Sequence, residues 1–223
     1  MNNYKGSLTY EDYLALYKNK NIIHSKFNIK QIQPSSIDLT LSDECFEIKA
    51  SFLSSKKTVR KNLNEVQINK INLNKKHVFK KNKTYIVRLN EKLNLPKNIF
   101  GCCNPKSSTG RLDIFCRTIL DCSDEYEKIP MQYKGEMFIE ITSRSFDIEF
   151  IKGDSLNQMR LIYNDHIYVK DNILKKYHDQ YFLTLDKNNN KIIPNVKNGL
   201  KIGVDLSNSN SVIAFVAKNN API

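Results

Sequence analysis

The sequence predicts an all-β core preceded by a short helix, and two observations support this fold class. Between residues 31 and 163, apolar residues alternate with polar ones or form short β-branched runs, a pattern typical of strands. Turn-forming residues separate these runs, and many short strands joined by turns favour a barrel or a jelly-roll-like sandwich. We therefore expect one β-rich core in a distorted double-sheet arrangement.

The individual elements follow in chain order. A helix is predicted at 9–18, because Thr9 is a favourable N-cap and Glu11 and Asp12 lie in the first turn. The stretch 56–83 is rich in Lys and Asn and weakly periodic, so we expect a solvated excursion between strands. Strands are predicted at 37–41, 46–52, 85–89, 114–120, 138–141, 146–151 and 159–162.

The sequence changes character after Tyr163. A helical turn is expected at 173–177, and a new strand-like segment begins at 199–206. We therefore predict a main domain at 1–165 and a connecting tail at 166–223, in which a truncated second module is one interpretation of the last segment.

The composition is that of an ordinary globular protein, with 40% hydrophobic and 26% charged residues. No apolar run approaches the ~20 residues that span a bilayer, and the first residues are too polar for a secretion signal, so we expect a cytoplasmic protein without a membrane partner. The net charge of +12 invites a nucleic-acid partner. The lysines are scattered among Asn and Ile without a basic helix, so that partner is disfavoured, and the charge can equally steer a nucleotide anion.

One polar stretch has the composition of a phosphate-binding site. Residues 104–113 read Asn-Pro-Lys-Ser-Ser-Thr-Gly-Arg-Leu-Asp and place a cation, three hydroxyls, a glycine and an arginine within six positions. Hydroxyls and backbone N–H groups can converge on phosphate oxygens there, and Lys and Arg add charge-assisted hydrogen bonds. The alternative is a simple polar turn between two strands.

This stretch resembles the phosphate-binding motif of the dCTP deaminase and dUTPase superfamily. Further segments agree with that superfamily in the same order, namely 32–39, 95–101, 132–141 and 153–160. The resemblance covers residues 20 to 165 and is strongest to dCTP deaminases, including a long bacterial form in which a second, related module follows the first. It implies a dUTPase-like distorted barrel or β-clip, and a homotrimer in which the phosphate-binding stretch of one subunit faces the Glu140 strand of another.

The resemblance also implies roles for individual residues in hydrolytic deamination of dCTP to dUTP and ammonia. Glu140 would shuttle protons, Ser107 would orient the water, and Arg111 would balance the charge. Mg²⁺ would arrive with the triphosphate and not in a protein metal site. The substrate contacts implied in the same way are Lys106, Ser108, Thr109, Gly110, Thr118, Asp121 and Gln158.

The residues also argue against the zinc-dependent class of base deaminases. That class requires H-x-E followed by P-C-x-x-C. None of the four histidines is followed two positions later by Glu, and the cysteines have no C-x-x-C spacing, so we expect no zinc. The five cysteines are expected to be reduced and partly buried.

Two alternatives remain open. In a dUTPase, or in a bifunctional deaminase and dUTP diphosphatase, Asp121 would activate water, with the segment 133–136 completing the motif. Residues 122–132 separate these two parts here, which weakens that interpretation. The other alternative is a non-catalytic nucleotide-binding module or a fragment. For Glu140 itself, the alternative to a pocket carboxylate is a solvent-facing residue of an edge strand.

Overall fold

Antiparallel strands are the main regular structure of the described chain. The computed structural model describes residues 5–166, 168–186 and 188–203, which belong to two structural units, 5–166 and 168–203. The first unit contains α1 (Tyr10–Lys18), α2 (Val59–Val66), α3 (Ser107–Arg111) and a short 3-10 helix, Ile29–Gln31, and the second unit contains α4 (Asp171–Tyr181).

The strands all belong to the first unit. They are β1 (Gly6–Ser7), β2 (Ile22–Ile23), β3 (Ile32–Gln33), β4 (Ser36–Leu39), β5 (Leu41–Ile48), β6 (Gln67–Asn72), β7 (His77–Phe79), β8 (Thr84–Asn94), β9 (Ile99–Pro105), β10 (Ile114–Leu120), β11 (Lys128–Ile129), β12 (Lys134–Ser143), β13 (Ile148–Phe150) and β14 (Asn157–Tyr163).

Two six-stranded sheets and one two-stranded ribbon organise these strands. The first sheet has the order β11-β9-β14-β4-β3, with β1 added beside β14. The second sheet has the order β10-β12-β8-β5-β6, with β2 added beside β8, and β7 pairs with β13. Both sheets contribute side chains to one hydrophobic core, which includes Ile37 and Met159 from the first sheet and Val87 and Ile139 from the second. The all-β prediction with a short N-terminal helix is therefore confirmed, although the described strands do not close into a barrel.

The second sheet is buried on both faces at its centre. Because side chains alternate along a strand, Ile86 and Phe138 point away from the main core. They join a smaller cluster that includes Val59 and Leu63 of α2. Glu140 follows Phe138 by two positions and lies on the same face of β12. This face is buried near Phe138, so the Glu140 side chain lies beside a buried apolar cluster.

Several predicted elements agree with the structure. The helix α1 begins after Thr9, whose N–H donates to Asp12 Oδ2 at 2.8 Å. Strand β10 has the predicted bounds, 114–120. Strands β8 and β12 extend beyond their predicted bounds, because their polar residues continue the backbone ladder after the apolar run has ended.

Another prediction was wrong in part. The stretch 56–83 is largely exposed, as expected, but it is not an irregular excursion, since it contains α2, β6 and β7. Thr58 accepts a hydrogen bond from Lys61 N–H and thereby caps α2, whose Val59 and Leu63 are buried. The helical turn predicted at 173–177, in contrast, is confirmed, and the helix α4 extends it to eleven residues.

The remainder of the tail is described only in part. Of the strand-like segment 199–206, residues 199–203 are described, and Leu200 forms an isolated bridge with Val196. The other residues of that segment lie outside the described residues, so the truncated second module stays a prediction. Among the described helices, none is long and apolar enough to cross a membrane.

Candidate active site

The predicted phosphate-binding stretch folds into the short helix α3. Strand β9 leads into it, and Lys106 takes an extended conformation at its N-cap. Thr109 is buried and donates its hydroxyl to the carbonyl of Leu156 at 2.8 Å. The backbone N–H of Lys106 donates to the same carbonyl at 2.9 Å. These two bonds fix α3 to the residues that precede β14.

The remaining polar side chains of α3 face solvent. Ser107, Ser108 and Arg111 are exposed, and within the described ranges their side chains form no hydrogen bond or ion pair. A Cβ atom placed on Gly110 would meet no atom within 4 Å, so the surface beside the helix is open. This arrangement leaves two hydroxyls and a guanidinium available to a ligand.

Lys106 and Gln158 lie together on the first sheet. Lys106 Nζ is 2.5 Å from Asp38 Oδ2. Gln158 on β14 lies opposite Asp38 on β4 and accepts a hydrogen bond from Ser36 Oγ at 3.4 Å. A phosphate that binds Lys106 must therefore compete with the Asp38 carboxylate.

Glu140 lies at the centre of the second sheet and is only 2% exposed. Directly opposite on β10 is Arg117, whose Nε donates to Glu140 Oε1 at 2.9 Å. The second carboxylate oxygen, Oε2, is buried without a hydrogen-bond partner among the described residues. The cation beside the carboxylate is thus Arg117, which the sequence analysis missed, and the role of Arg111 stays a prediction.

Aromatic rings hold the Arg117 guanidinium. Its central carbon lies 3.6 Å from the centroid of the Tyr126 ring and 5.3 Å from that of Phe115. Tyr126 donates its hydroxyl to the carbonyl of Phe52 at 3.1 Å. Burial raises the pKa of Tyr126, which keeps the phenol a neutral donor.

A cavity of about 510 Å³ connects Glu140 with the C-terminal end of α3. Glu140 and Arg117 line it from the sheet, Gly110 lines it from the helix, and Asp113 lines it from the turn after the helix. The other lining residues are Ser51, Asn82, Thr84, Ile114, Phe115, Thr142 and Arg144. Ser107 and Arg111 are outside this lining in the described part of a single chain.

Thr118 is engaged within the chain. Its N–H donates to Glu127 Oε1 at 3.0 Å, and its carbonyl accepts from Glu127 N–H at 3.0 Å. Asn157 Nδ2 donates to Thr118 Oγ1 at 2.7 Å. Burial raises the pKa of Glu127. The predicted contact between Thr118 and a nucleotide base would require Glu127 to move.

Asp121 contacts the start of α2. Its Oδ1 accepts a hydrogen bond from Val59 N–H at 2.7 Å, and burial raises the pKa of this carboxyl. The Asp121 N–H donates to Tyr133 Oη at 3.2 Å. The side chain is therefore bound to a helix end, and it is not among the residues that line the Glu140 cavity.

The cysteines and histidines form no evident metal centre. Within 5–166, 168–186 and 188–203, no group of three or more His, Cys, Asp and Glu side chains could hold a metal ion. All five cysteines are free, and Cys45, Cys103 and Cys116 are buried. Burial raises the pKa of the Cys116 thiol to about 12.

Comparison with known proteins gives a family for this fold and site. A solved structure described as 2'-deoxycytidine 5'-triphosphate deaminase from Agrobacterium tumefaciens is similar, with 33% identity and a TM-score of 0.77. The match covers 79% of this chain and 54% of that chain, so this chain spans about half the length of that relative.

Two further matches are too weak to carry an argument. The EIAV dUTPase matches with 19% identity and a TM-score of 0.34, covering 45% of this chain and 78% of that chain. A dUTPase mutant of Staphylococcus bacteriophage 80alpha matches with 13% identity and a TM-score of 0.32, covering 43% of this chain and 76% of that chain.

A comparison with curated proteins finds no significant match. Residues 4–165, however, match the family described as the 2'-deoxycytidine 5'-triphosphate deaminase (DCD) N-terminal domain. This match includes both walls of the Glu140 cavity and most of the described chain. The chain therefore belongs to the dCTP deaminase N-terminal domain family.

Proposed function

We propose that this protein is a dCTP deaminase that hydrolyses dCTP to dUTP and ammonia, and so supplies dUTP for pyrimidine deoxynucleotide metabolism in the cytoplasm. The observation that carries the proposal is the state of Glu140. Its carboxylate is buried, one oxygen is held by Arg117, and the other has no partner in the described structure. A carboxylate so arranged on a cavity wall is suited to proton transfer, and membership of the family favours this use.

The chemistry requires a group that both takes and returns a proton. Water must attack C4 of the cytosine, a proton must reach N3, and ammonia must leave. Glu140 can accept one proton of the water at Oε2 and deliver it to N3 as the C4–O bond forms. The same carboxylate can then take the remaining hydroxyl proton to the amino nitrogen, so that the C4–N bond breaks, ammonia leaves and the C4 carbonyl forms. The cavity volume of about 510 Å³ is within the usual range of ligand sites. We assign Ser107 to orienting the water and Arg111 to balancing charge.

The triphosphate would bind along α3. The exposed hydroxyl of Ser108, the backbone at Thr109 and Gly110, and the ammonium of Lys106 can contact its oxygens. Mg²⁺ belongs to the substrate in this proposal, because it is bound mainly by the phosphates and water. The sequence lacks the zinc signature of other base deaminases, so the proposed reaction uses no zinc.

We also propose that a homotrimer completes the site. Ser107 and Arg111 do not line the Glu140 cavity within one chain, although all three residues are assigned to one reaction. A neighbouring subunit could bring its own α3 to this cavity. Thr118, Asp121 and Gln158 are assigned to substrate contact in the assembled site.

A product analysis tests the proposal. The protein is incubated with dCTP or dUTP and Mg²⁺, and ammonia and pyrophosphate are measured separately. Ammonia from dCTP supports the proposal. Pyrophosphate from dUTP without ammonia from dCTP would identify a dUTPase, and both products from dCTP would identify a bifunctional enzyme. Neither product would favour a nucleotide-binding module.

A further inference from the structure

We infer that Arg117 is the positioning residue of Glu140, and that Tyr126 fixes the orientation of Arg117. The inference rests on the proposed function and adds a requirement to it. Arg117, on the neighbouring strand, fixes the orientation of the reactive Glu140 carboxylate. The ring of Tyr126, from the segment that follows that strand, fixes the position of the Arg117 guanidinium. No motif in the sequence indicates either partner.

The geometry of the ion pair distinguishes the two oxygens of Glu140. Arg117 Nε donates to Oε1 at 2.9 Å, while Oε2 has no partner in the described part of the chain. The pair is cross-strand and in register, so the backbone ladder of β10 and β12 fixes both side chains. Arg117 therefore restrains rotation of the carboxylate and leaves Oε2 for exchange of protons with water and base.

The pair also explains how a charge can persist in this position. Glu140 shares its sheet face with Phe138 and is 2% exposed. A buried carboxylate without a countercharge is strongly destabilising. Arg117 is 26% exposed on its side chain, so it joins the buried carboxylate to the open side of the cavity.

Tyr126 restrains the Arg117 guanidinium from one side. The guanidinium carbon lies over the ring, 3.6 Å from its centroid, which is a close cation–π contact. A lysine would keep the charge but lose both the stacking and the directed N–H donors.

The ring is itself anchored to a second segment. Tyr126 Oη donates to Phe52 O at 3.1 Å, and Ser55 N–H donates to Ser123 O at 2.9 Å. Tyr126 lies in the stretch 122–132, which separates the two parts of the dUTPase-like motif in this sequence. We assign that stretch the task of holding the ring beneath Arg117.

Steady-state kinetics with dCTP test the inference. Arg117→Met should lower kcat by about 10²-fold, as expected for a misplaced catalytic group, with little change in KM. Arg117→Lys should recover part of the loss. Tyr126→Leu should lower kcat more than Tyr126→Phe, because phenylalanine keeps the ring face and loses only the hydroxyl, with its contacts to Phe52 and Arg117.

Arg60→Met is the matched control. Arg60 also pairs with a carboxylate, Glu136, at 2.6 Å, and lies 5.5 Å from the ring centroid of Phe138. It does not line the Glu140 cavity. Its replacement should leave kcat for dCTP unchanged. Equal kcat values for Arg117→Met and the wild type, or an equal loss in Arg60→Met, would overturn the inference.

A double-mutant cycle separates this inference from the proposed function. Arg117→Met should lower the stability of the wild type more than that of Glu140→Gln, because glutamine needs no countercharge. Equal destabilisation in the two backgrounds would overturn the pairing. If the wild type releases no ammonia from dCTP, the proposed function fails, and this unfolding cycle alone decides whether Arg117 holds Glu140.

Discussion

Thr109 donates its hydroxyl to the carbonyl of Leu156 at 2.8 Å and thereby ties the candidate phosphate-binding helix to the residues before β14. Thr109 is 2% exposed, whereas its neighbour Ser108 is exposed. Two adjacent hydroxyls of one motif thus have different tasks. The Thr109 hydroxyl holds the helix in place, and the Ser108 hydroxyl is available to substrate.

Thr109→Val should lower the free energy of unfolding by about 1 kcal/mol, the usual net contribution of one hydrogen bond. Valine keeps the branched shape, and the Leu156 carbonyl keeps its bond from Lys106 N–H, so a larger loss is not expected. Denaturant unfolding measures the effect. Ser108→Ala is the control and should leave stability unchanged while raising KM for the nucleotide. The opposite pattern would mean that the two hydroxyls exchange roles.

Asp121 should prove important for the start of α2. Asp121→Ala removes the acceptor of Val59 N–H and should cost about 0.5–2 kcal/mol, as for other losses at helix N-termini. Asp121→Asn retains an oxygen acceptor and should cost less. Denaturant unfolding of both variants checks this order. Pyrophosphate release from dUTP that is abolished in a well-folded Asp121→Asn protein would instead assign Asp121 a hydrolytic role.

Glu44 should make the protein sensitive to acid. Hydrogen bonds from Arg60 lower the pKa of Glu44 to about 2. Because the folded-state pKa is below the unfolded value of about 4.3, the stabilisation is fully present above the unfolded value and is lost as pH falls toward 2. The stability difference between wild type and Glu44→Gln should therefore shrink over this window. A constant difference from pH 6 to pH 2 would contradict the assignment.

Complementation should reveal whether the site is shared between subunits. If the proposed homotrimer forms, Arg111→Ala and Glu140→Gln should each be inactive by themselves. In randomly mixed trimers, about a quarter of shared sites would contain both intact residues, by symmetry of the assembly. Co-expression should then restore ammonia release. Activity that stays at the level of the single variants in verified mixed trimers would place both residues in one subunit.

The sequence was informative where local periodicity decides the structure. Strand β10 was predicted from a largely apolar, β-branched run. Glu140 was singled out because it lies on the opposite face of its strand from Ile139 and Ile141. The helix α2 was missed because its fully buried apolar residues are only Val59 and Leu63, within a Lys- and Asn-rich stretch. The i, i+4 spacing of these two residues after Thr58 was the available signal.

Arg117 was missed for a different reason. Its contact with Glu140 depends on the register of β10 against β12, and residues 121–133 between the strands do not fix that register from sequence alone. The sequence shows that Phe115, Arg117 and Ile119 lie on one face of β10. It does not show that Glu140 lies opposite Arg117 on β12. The ring of Tyr126 reaches Arg117 through a non-repetitive segment, which periodicity does not predict.

The most direct test of the account is ammonia release from dCTP by Glu140→Gln under single-turnover conditions. Glutamine keeps the shape of the side chain and removes the proton acceptor, so the rate should fall by about 10²- to 10⁴-fold while dCTP binding is largely retained. Glu149→Gln, at an exposed glutamate paired with Lys76, is the control and should keep the wild-type rate. An unchanged rate of ammonia release in Glu140→Gln would contradict the central claim that Glu140 carries the proton transfer.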